Sequence, residues 1–349
     1  MKLVVRNIFI IAVMPLVLAL LSACERTELC YNHYPQAAVT FDWEQEWERD
    51  YGTALPDHWN TGFYGFEYDF LRPGVPEWVN LVKYRDNAPD GEQYFSPVGD
   101  NVVLKEKGVR SFLFYNGDTE YIVLSDIASL PNARASATPR SRGSIAYLME
   151  RHPDTRSANP PDVLYSAFVE SVPNVAVHEV WPLPVKMQPL VFTYVVRYEF
   201  EYGLQHVRLA RGALAGMAES VYLRDGRTSD EAIIVLYDCE VTDYGCEARV
   251  RSFGVPGFPD EYYGRTGDAD VQERPYTLNL EVLLTNGKTL EFNYDVAEQL
   301  KNQPRGGVIN ISGIRIEDEQ NEPSSDSGGF DVDLSGWGEV DVDLPINSN

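Results

Sequence analysis

The run Phe192-Thr193-Tyr194-Val195-Val196-Arg197-Tyr198-Glu199-Phe200-Glu201-Tyr202 decides the fold. Phe192, Tyr194, Val196, Tyr198, Phe200 and Tyr202 fall on one side of an extended chain. Thr193, Val195, Arg197, Glu199 and Glu201 fall on the other. A period of two with one apolar and one mainly polar side predicts a strand half-buried in a sheet. Downstream, Tyr276–Val282 leads into Asn286-Gly287, and Leu290, Phe292, Tyr294 and Val296 then alternate with polar residues. Asn-Gly between two such runs predicts a hairpin. Val308–Ile316 adds a strand whose phase slips at Gly313, which predicts a bulge.

Upstream, the same reasoning places strands at 39–43, 79–84, 111–116, 121–124 and 165–169. Residues 131–162 read as an exposed, arginine-bearing loop region with a short helix over Ile145–Met149. Pro173, Pro182, Pro184 and Pro189 mark a domain boundary. Short strands without alternating helices favour β-sandwiches over a parallel α/β sheet. The expected class is all-β, with domains over 24–175 and 185–316 and an acidic tail over 317–349.

The chain's 349 residues suit two ordinary domains, and 44% hydrophobic content excludes global disorder. The net charge of −24 argues against nucleic acid as a partner, because phosphates would be repelled. Lys2 and Arg6 precede an apolar stretch that ends in Leu21-Ser22-Ala23-Cys24. A positive start, a short apolar core and small residues before a cleavage point predict a secretory signal over 1–23. Leu-Ser-Ala-Cys resembles the bacterial lipobox, which makes Cys24 the lipid-carrying first residue of the mature chain. Cys239 and Cys246 flank the turn-like Thr242-Asp243-Tyr244-Gly245. That spacing suits a small disulfide loop or two reduced thiols equally.

The tail holds ten acidic side chains and no Lys or Arg. A Ser/Gly-rich linker precedes Phe330-Asp331-Val332-Asp333-Leu334 and Val340-Asp341-Val342-Asp343-Leu344. Each piece puts three apolar residues on one face and its acids on the other. Such a strand needs a sheet edge, in its own domain or in another subunit. Phe330, Val332, Leu334, Val340, Val342 and Leu344 are the expected pocket-filling face.

No His-Glu-x-x-His, Gly-x-Ser-x-Gly, P-loop or dinucleotide fingerprint occurs. The five histidines show no ligand spacing, so neither catalytic residues nor cofactor nor metal is expected. Trp43, Trp47, Trp59 and Trp78 offer a sugar-stacking platform or core packing, and core is the commoner use in β-domains.

The lipobox, Leu29-Cys30-Tyr31-Asn32-His33, Val39–Trp43, Tyr68–Pro73, Pro76–Val79, Phe192–Tyr202 and Gly216–Ser220 carry a resemblance. The chain resembles the fimbrillin-related lipoproteins of Bacteroidetes, the accessory, anchor or tip subunits of type V pili. The resemblance implies two tandem transthyretin-like, Greek-key β-sandwiches in a non-enzymatic protein. It implies lipid anchoring in the outer membrane, at the cell surface or in the fimbrium. Its partners would be other fimbrial subunits, with a host or glycan ligand at the adhesive end. It also implies Arg49 as a protease site and the tail as a donor strand. A surface glycan-binding lipoprotein is the alternative.

Overall fold

A computed structural model describes residues 34–44, 74–105, 108–141, 146–176, 179–259, 275–301 and 303–322. Ten strands build the first half: β1 (Gln36–Trp43), β2 (Val79–Arg85), β3 (Ala88–Phe95), β4 (Asn101–Val103), β5 (Arg110–Asn116), β6 (Ile122–Ser125), β7 (Arg134–Ala137), β8 (Arg156–Ala158), β9 (Tyr165–Val172) and β10 (Val180–Pro189). Eight build the second: β11 (Phe192–Tyr202), β12 (Val207–Ala218), β13 (Ser220–Tyr222), β14 (Ala232–Val241), β15 (Gly245–Ser252), β16 (Thr277–Leu284), β17 (Thr289–Asp295) and β18 (Gly307–Arg315). Two short helices, α1 (Ala146–Arg151) and α2 (Ala297–Leu300), complete the set of regular elements used below. The all-β class read from the sequence is the class observed.

In the first sandwich β1 pairs in parallel with β10 and antiparallel with β4. The facing layer runs β3-β2-β5-β9. The two layers join only where Gln188 and Pro189 meet Ser166 and Tyr165. Ala37, Val39, Leu183, Val185 and Met187 from one layer meet Leu81, Phe112, Phe114 and Tyr165 from the other. Phe41 lies edge-on to both Phe95 and Phe114, with centroids 5.9 and 5.6 Å apart. Each such ring, fully buried, contributes roughly 1.5–3 kcal/mol through area alone.

The second sandwich repeats the scheme. β17-β16-β12-β14 form one layer and β15-β11-β18 the other, with β11 and β18 parallel. β14 touches β15 only through Glu240↔Glu247 and Val241↔Cys246. The even-numbered side of β11 faces the core, as its alternation predicts: Tyr194, Val196 and Tyr198 are fully buried. The other side differs from expectation near its start, where Val195 is 0% and Thr193 8% exposed. Amphipathic character begins only at Arg197.

Residues 131–162 correct the loop reading. β7 pairs with β6 and with β13, so a three-stranded sheet joins residues of both halves. This small sheet covers the outer face of β2 and β5, where Tyr84, Leu113 and Tyr115 pack with Leu130, Ala135, Val221 and Phe253. β8 adds in parallel to β14. The expected helix is present as α1, and its Leu148 packs on Ala213, Ala215, Ile234 and Leu236. Arg140 donates to the Leu236 carbonyl and pairs with Asp238, and Arg156 pairs with Glu219. The arginines therefore clamp this segment to the second sandwich.

The proline-rich stretch is a strand over 180–189. It forms β10, in register with β1 from Gln36↔Val180 to Trp43↔Met187. Proline lacks the amide donor that a central strand needs, and is confined to edges. β10 is such an edge over most of its length.

Candidate functional site

For a protein read as docking by strand addition, the functional groups are the backbone edges of its sheets and the side chains beside them. Cys24, Arg49 and the face Phe330, Val332, Leu334, Val340, Val342 and Leu344 lie outside the described residues. Cys239 and Cys246 lie inside them and carry thiols, not a disulfide. Val241 stands opposite Cys246, so Cys239 is its diagonal neighbour. Diagonal strand positions lie about 7–8 Å apart, beyond the span of a relaxed disulfide. Burial pushes the Cys246 thiol up to about 12, so it stays protonated and unreactive at neutral pH.

The edges differ in chemistry. β3 exposes Asp90 and Glu92, and β17 exposes Glu291 and Asp295. β10 loses two donors at Pro182 and Pro184. β18 is capped by side chains. Gln303 Oε1 accepts from the Val308 amide, and its Nε2 donates to the Val308 carbonyl at 3.0 Å. Gln299 does the same at Asn310, at 2.9 and 3.0 Å. Two glutamines thus imitate two residues of a neighbouring strand. A bulge follows, with Gly313 at φ +77° and the register slipping from Ile311 to Ile314 against β11. Bulges and covered edges both discourage edge pairing.

β15 has the remaining long edge in the second sandwich. Ala248 and Val250 point into the core, while Arg249 and Arg251 are exposed on the opposite face. Nearer the β14 end, Arg197 pairs with Glu247 at 3.4 Å and stacks over Tyr244.

The root of the tail is fixed by a network. His206 Nε2 meets Asp318 Oδ1 at 2.8 Å, and its Nδ1 meets Asn321 Nδ2 at 2.9 Å. The Asn321 oxygen accepts from Thr285 and from the Asn286 amide, so its nitrogen is the donor to His206. A proton on Nε2 with Nδ1 accepting satisfies both contacts. Tyr202 donates to the other Asp318 oxygen. Hydrogen bonds from His206 and Tyr202 hold the Asp318 carboxyl below its usual range. Asn286 and Lys288 both donate to the Glu322 carbonyl, which places the chain's exit at the β16–β17 turn.

A shallow polar cleft of about 270 Å³ lies elsewhere, between Tyr222, Arg227–Glu231, Gly257 and Phe258. The Arg227 guanidinium covers the Tyr222 ring and pairs with Asp225. The tryptophans form no common platform among the described residues: Trp43 packs edge-on to Tyr165 at 4.9 Å, and Trp78 is 39% exposed. No group of three or more His, Cys, Asp or Glu side chains poised for a metal occurs among the described residues. The glutamine caps, the Arg249/Arg251 pair and the tail-root network were not singled out from the sequence. Only the Arg-x-Arg spacing on an alternating run could have signalled any of them.

Residues 73–238 match the model of a domain of unknown function, DUF5119. No curated protein matches the chain. A candidate adhesin from Bacteroides ovatus is 18% identical, with a TM-score of 0.52 over 84% of this chain and 98% of that one. A candidate cell adhesion protein from Bacteroides eggerthii is 9% identical, with a TM-score of 0.47 over 85% and 93%. The fimbrial anchor protein Mfa2 from Porphyromonas gingivalis is 11% identical, with a TM-score of 0.44 over 80% and 90%. The similarity to the Bacteroides ovatus protein spans both sandwiches and establishes the shared fold. The chain thus carries a DUF5119 match over 73–238 and shares the tandem-sandwich fold of a Bacteroides candidate adhesin.

Proposed function

We propose that this chain is a lipid-anchored accessory, anchor or tip subunit of a type V pilus, which joins other fimbrial subunits by strand addition and serves cell adhesion. The tandem-sandwich fold shared with a candidate adhesin over 84% of this chain carries the reading. Its features agree with a docking role. The tail is an alternating, acidic, strand-forming sequence, and its root is fixed to the second sandwich by the His206–Asp318–Asn321 network. Backbone pairing supplies affinity in such additions, and alternate side chains supply specificity. Cys24 carries the lipid, which places the protein at the outer membrane and cell surface. Arg49 is the candidate processing site in this reading, and the role is non-enzymatic.

The experiment is cell fractionation with co-purification. Wild-type protein should sediment with membranes and bring fimbrial subunits with it. Cys24→Ala should release it from the membrane. Deleting residues 324–349 should leave it membrane-bound but without subunits. Unchanged recovery of subunits after that deletion would sink the strand-addition reading.

The polar cleft beside Tyr222 favours the second reading, a surface glycan-binding lipoprotein. Tyr222, Asp230 and Glu231 there offer an aromatic ring and hydroxyl acceptors. Glycan-dependent protection of Tyr222 from chemical modification would support it.

A further inference from the structure

We propose that Asn286, in the β16–β17 turn, is a site of spontaneous deamidation that the closed tail root holds in check and whose product opens that root. The inference goes beyond the docking role and stands whatever the tail meets.

Asparagine followed by glycine is the pair most open to this chemistry, because glycine has no side chain to shield its amide nitrogen. The chain has two such pairs, Asn116-Gly117 and Asn286-Gly287. Both asparagines are engaged, but by different parts of the molecule. Asn116 is 1% exposed. It donates to the Val163 carbonyl at 2.9 Å and accepts from the Tyr165 amide at 2.6 Å, inside the first sandwich. Those bonds yield only if that sandwich unfolds. Asn286 is half-buried, and its Nδ2 donates to the carbonyls of Gln320 and Glu322 at 3.0 Å each. Its backbone amide donates to Asn321 Oδ1 at 3.2 Å. These partners lie in residues 320–322, which belong to no sheet. They can lift away while both sandwiches stay folded.

Two restraints oppose the reaction. Attack needs the Asn286 side chain to turn toward the nitrogen that follows it. The Gln320 and Glu322 carbonyls hold it, and so does the Lys288 amide, which donates to Asn286 Oδ1 at 2.9 Å. Attack also needs a deprotonated Gly287 nitrogen, and the Leu284 carbonyl accepts from that N–H at 3.0 Å. The hairpin supplies the second restraint, whereas the tail root supplies most of the first.

In the step itself the Gly287 nitrogen gives its proton to solvent and bonds to Asn286 Cγ. The Cγ–Nδ2 bond breaks, and Nδ2 takes a proton from solvent and leaves as ammonia. Water then opens the cyclic imide at either carbonyl, leaving aspartate or isoaspartate at 286. Nothing is oxidised or reduced, and water is the only co-reactant.

Either product weakens the root. The donors facing the Gln320 and Glu322 carbonyls are replaced by acceptor oxygens. A new negative charge appears beside a segment that already carries Glu317, Asp318, Glu319 and Glu322. Isoaspartate also lengthens the backbone inside a turn closed by the Leu284 amide and the Lys288 carbonyl. Opening frees Asn286 to react, and reaction keeps the root open, so the change runs one way.

The test is peptide mapping of the full chain in detergent, aged in warm, mildly alkaline buffer, with thermal melts as the control for folding. Asn286 should deamidate more slowly than the same asparagine in a free peptide of residues 283–289. Asn321→Ala should speed it about tenfold, and Asn116 should stay intact in both chains. If Asn321→Ala unfolds the protein, His206→Gln should give a smaller gain in the same direction. Amide exchange over 317–322 should be about tenfold faster in Asn286→Asp than in wild type, with Asn286→Ala between them. Equal deamidation rates in wild type and Asn321→Ala, or in wild type and the free peptide, would overturn the proposal. Wild-type exchange in Asn286→Asp would overturn it too. Neither readout involves another subunit, so failure here leaves the docking role untouched.

Discussion

Tyr198 is completely buried, and its hydroxyl meets the Tyr237 hydroxyl and the Asn279 carbonyl at 2.8 Å each. Burial, more than either neighbour, pushes its pKa well above the usual tyrosine range, so the proton stays and can be shared. Tyr198→Phe leaves two buried polar atoms with one partner fewer and should cost about 1–3 kcal/mol in denaturant unfolding. His152 is buried against Thr277, and burial, aided by Arg151, lowers its pKa from the ordinary 6.5. The unfolded chain then binds a proton that the folded chain resists, so stability is complete above pH 6.5 and falls as pH drops through the folded pKa. Melting temperatures measured from pH 7 to 5 should fall in wild type and fall less in His152→Gln. At this scale the sequence was partly readable. Gly313 was visible as a phase slip in an alternating run. Gly212 was not, because its reason is the Tyr237 ring, which would lie 2.3 Å from an added Cβ.

Elements whose sequence alternates or runs apolar between turn signals announced themselves, and elements built from small residues or prolines did not. β11, β16 and β17 alternate and were legible together with the Asn286-Gly287 turn between the latter two. β12 reads Val-Arg-Leu-Ala-Arg-Gly-Ala-Leu-Ala-Gly-Met-Ala, a composition closer to helix than strand. It is central, pressed between the core and α1, so small residues replace alternation. β10 hid behind prolines that tolerate an edge strand as readily as a linker. The glutamine caps on β18 left no local signal, because the pairing joins side chains to a strand several residues away. Gln299→Ala with Gln303→Ala removes the four side-chain hydrogen bonds to β18 and bares the edge. Amide exchange at Val308 and Asn310 should accelerate, and the protein should self-associate more strongly at high concentration. Unchanged exchange at both positions would show that the caps do not protect the edge.

At the scale of the molecule, two sandwiches are joined by a shared small sheet and by arginine clamps, not by a loose linker. The tail leaves from a fixed root at one end of the second sandwich. Shortening the linker 323–329 by four residues should weaken subunit association while leaving the melting temperature unchanged, because the strand loses reach and the sandwiches lose nothing. Co-sedimentation of shortened and wild-type chains checks this.

The most direct measurement is a structure of the assembled form that shows where residues 330–344 lie. The account predicts them as an added strand in a neighbouring molecule's sheet. A tail standing free in solvent, or paired into its own sandwich, would contradict it.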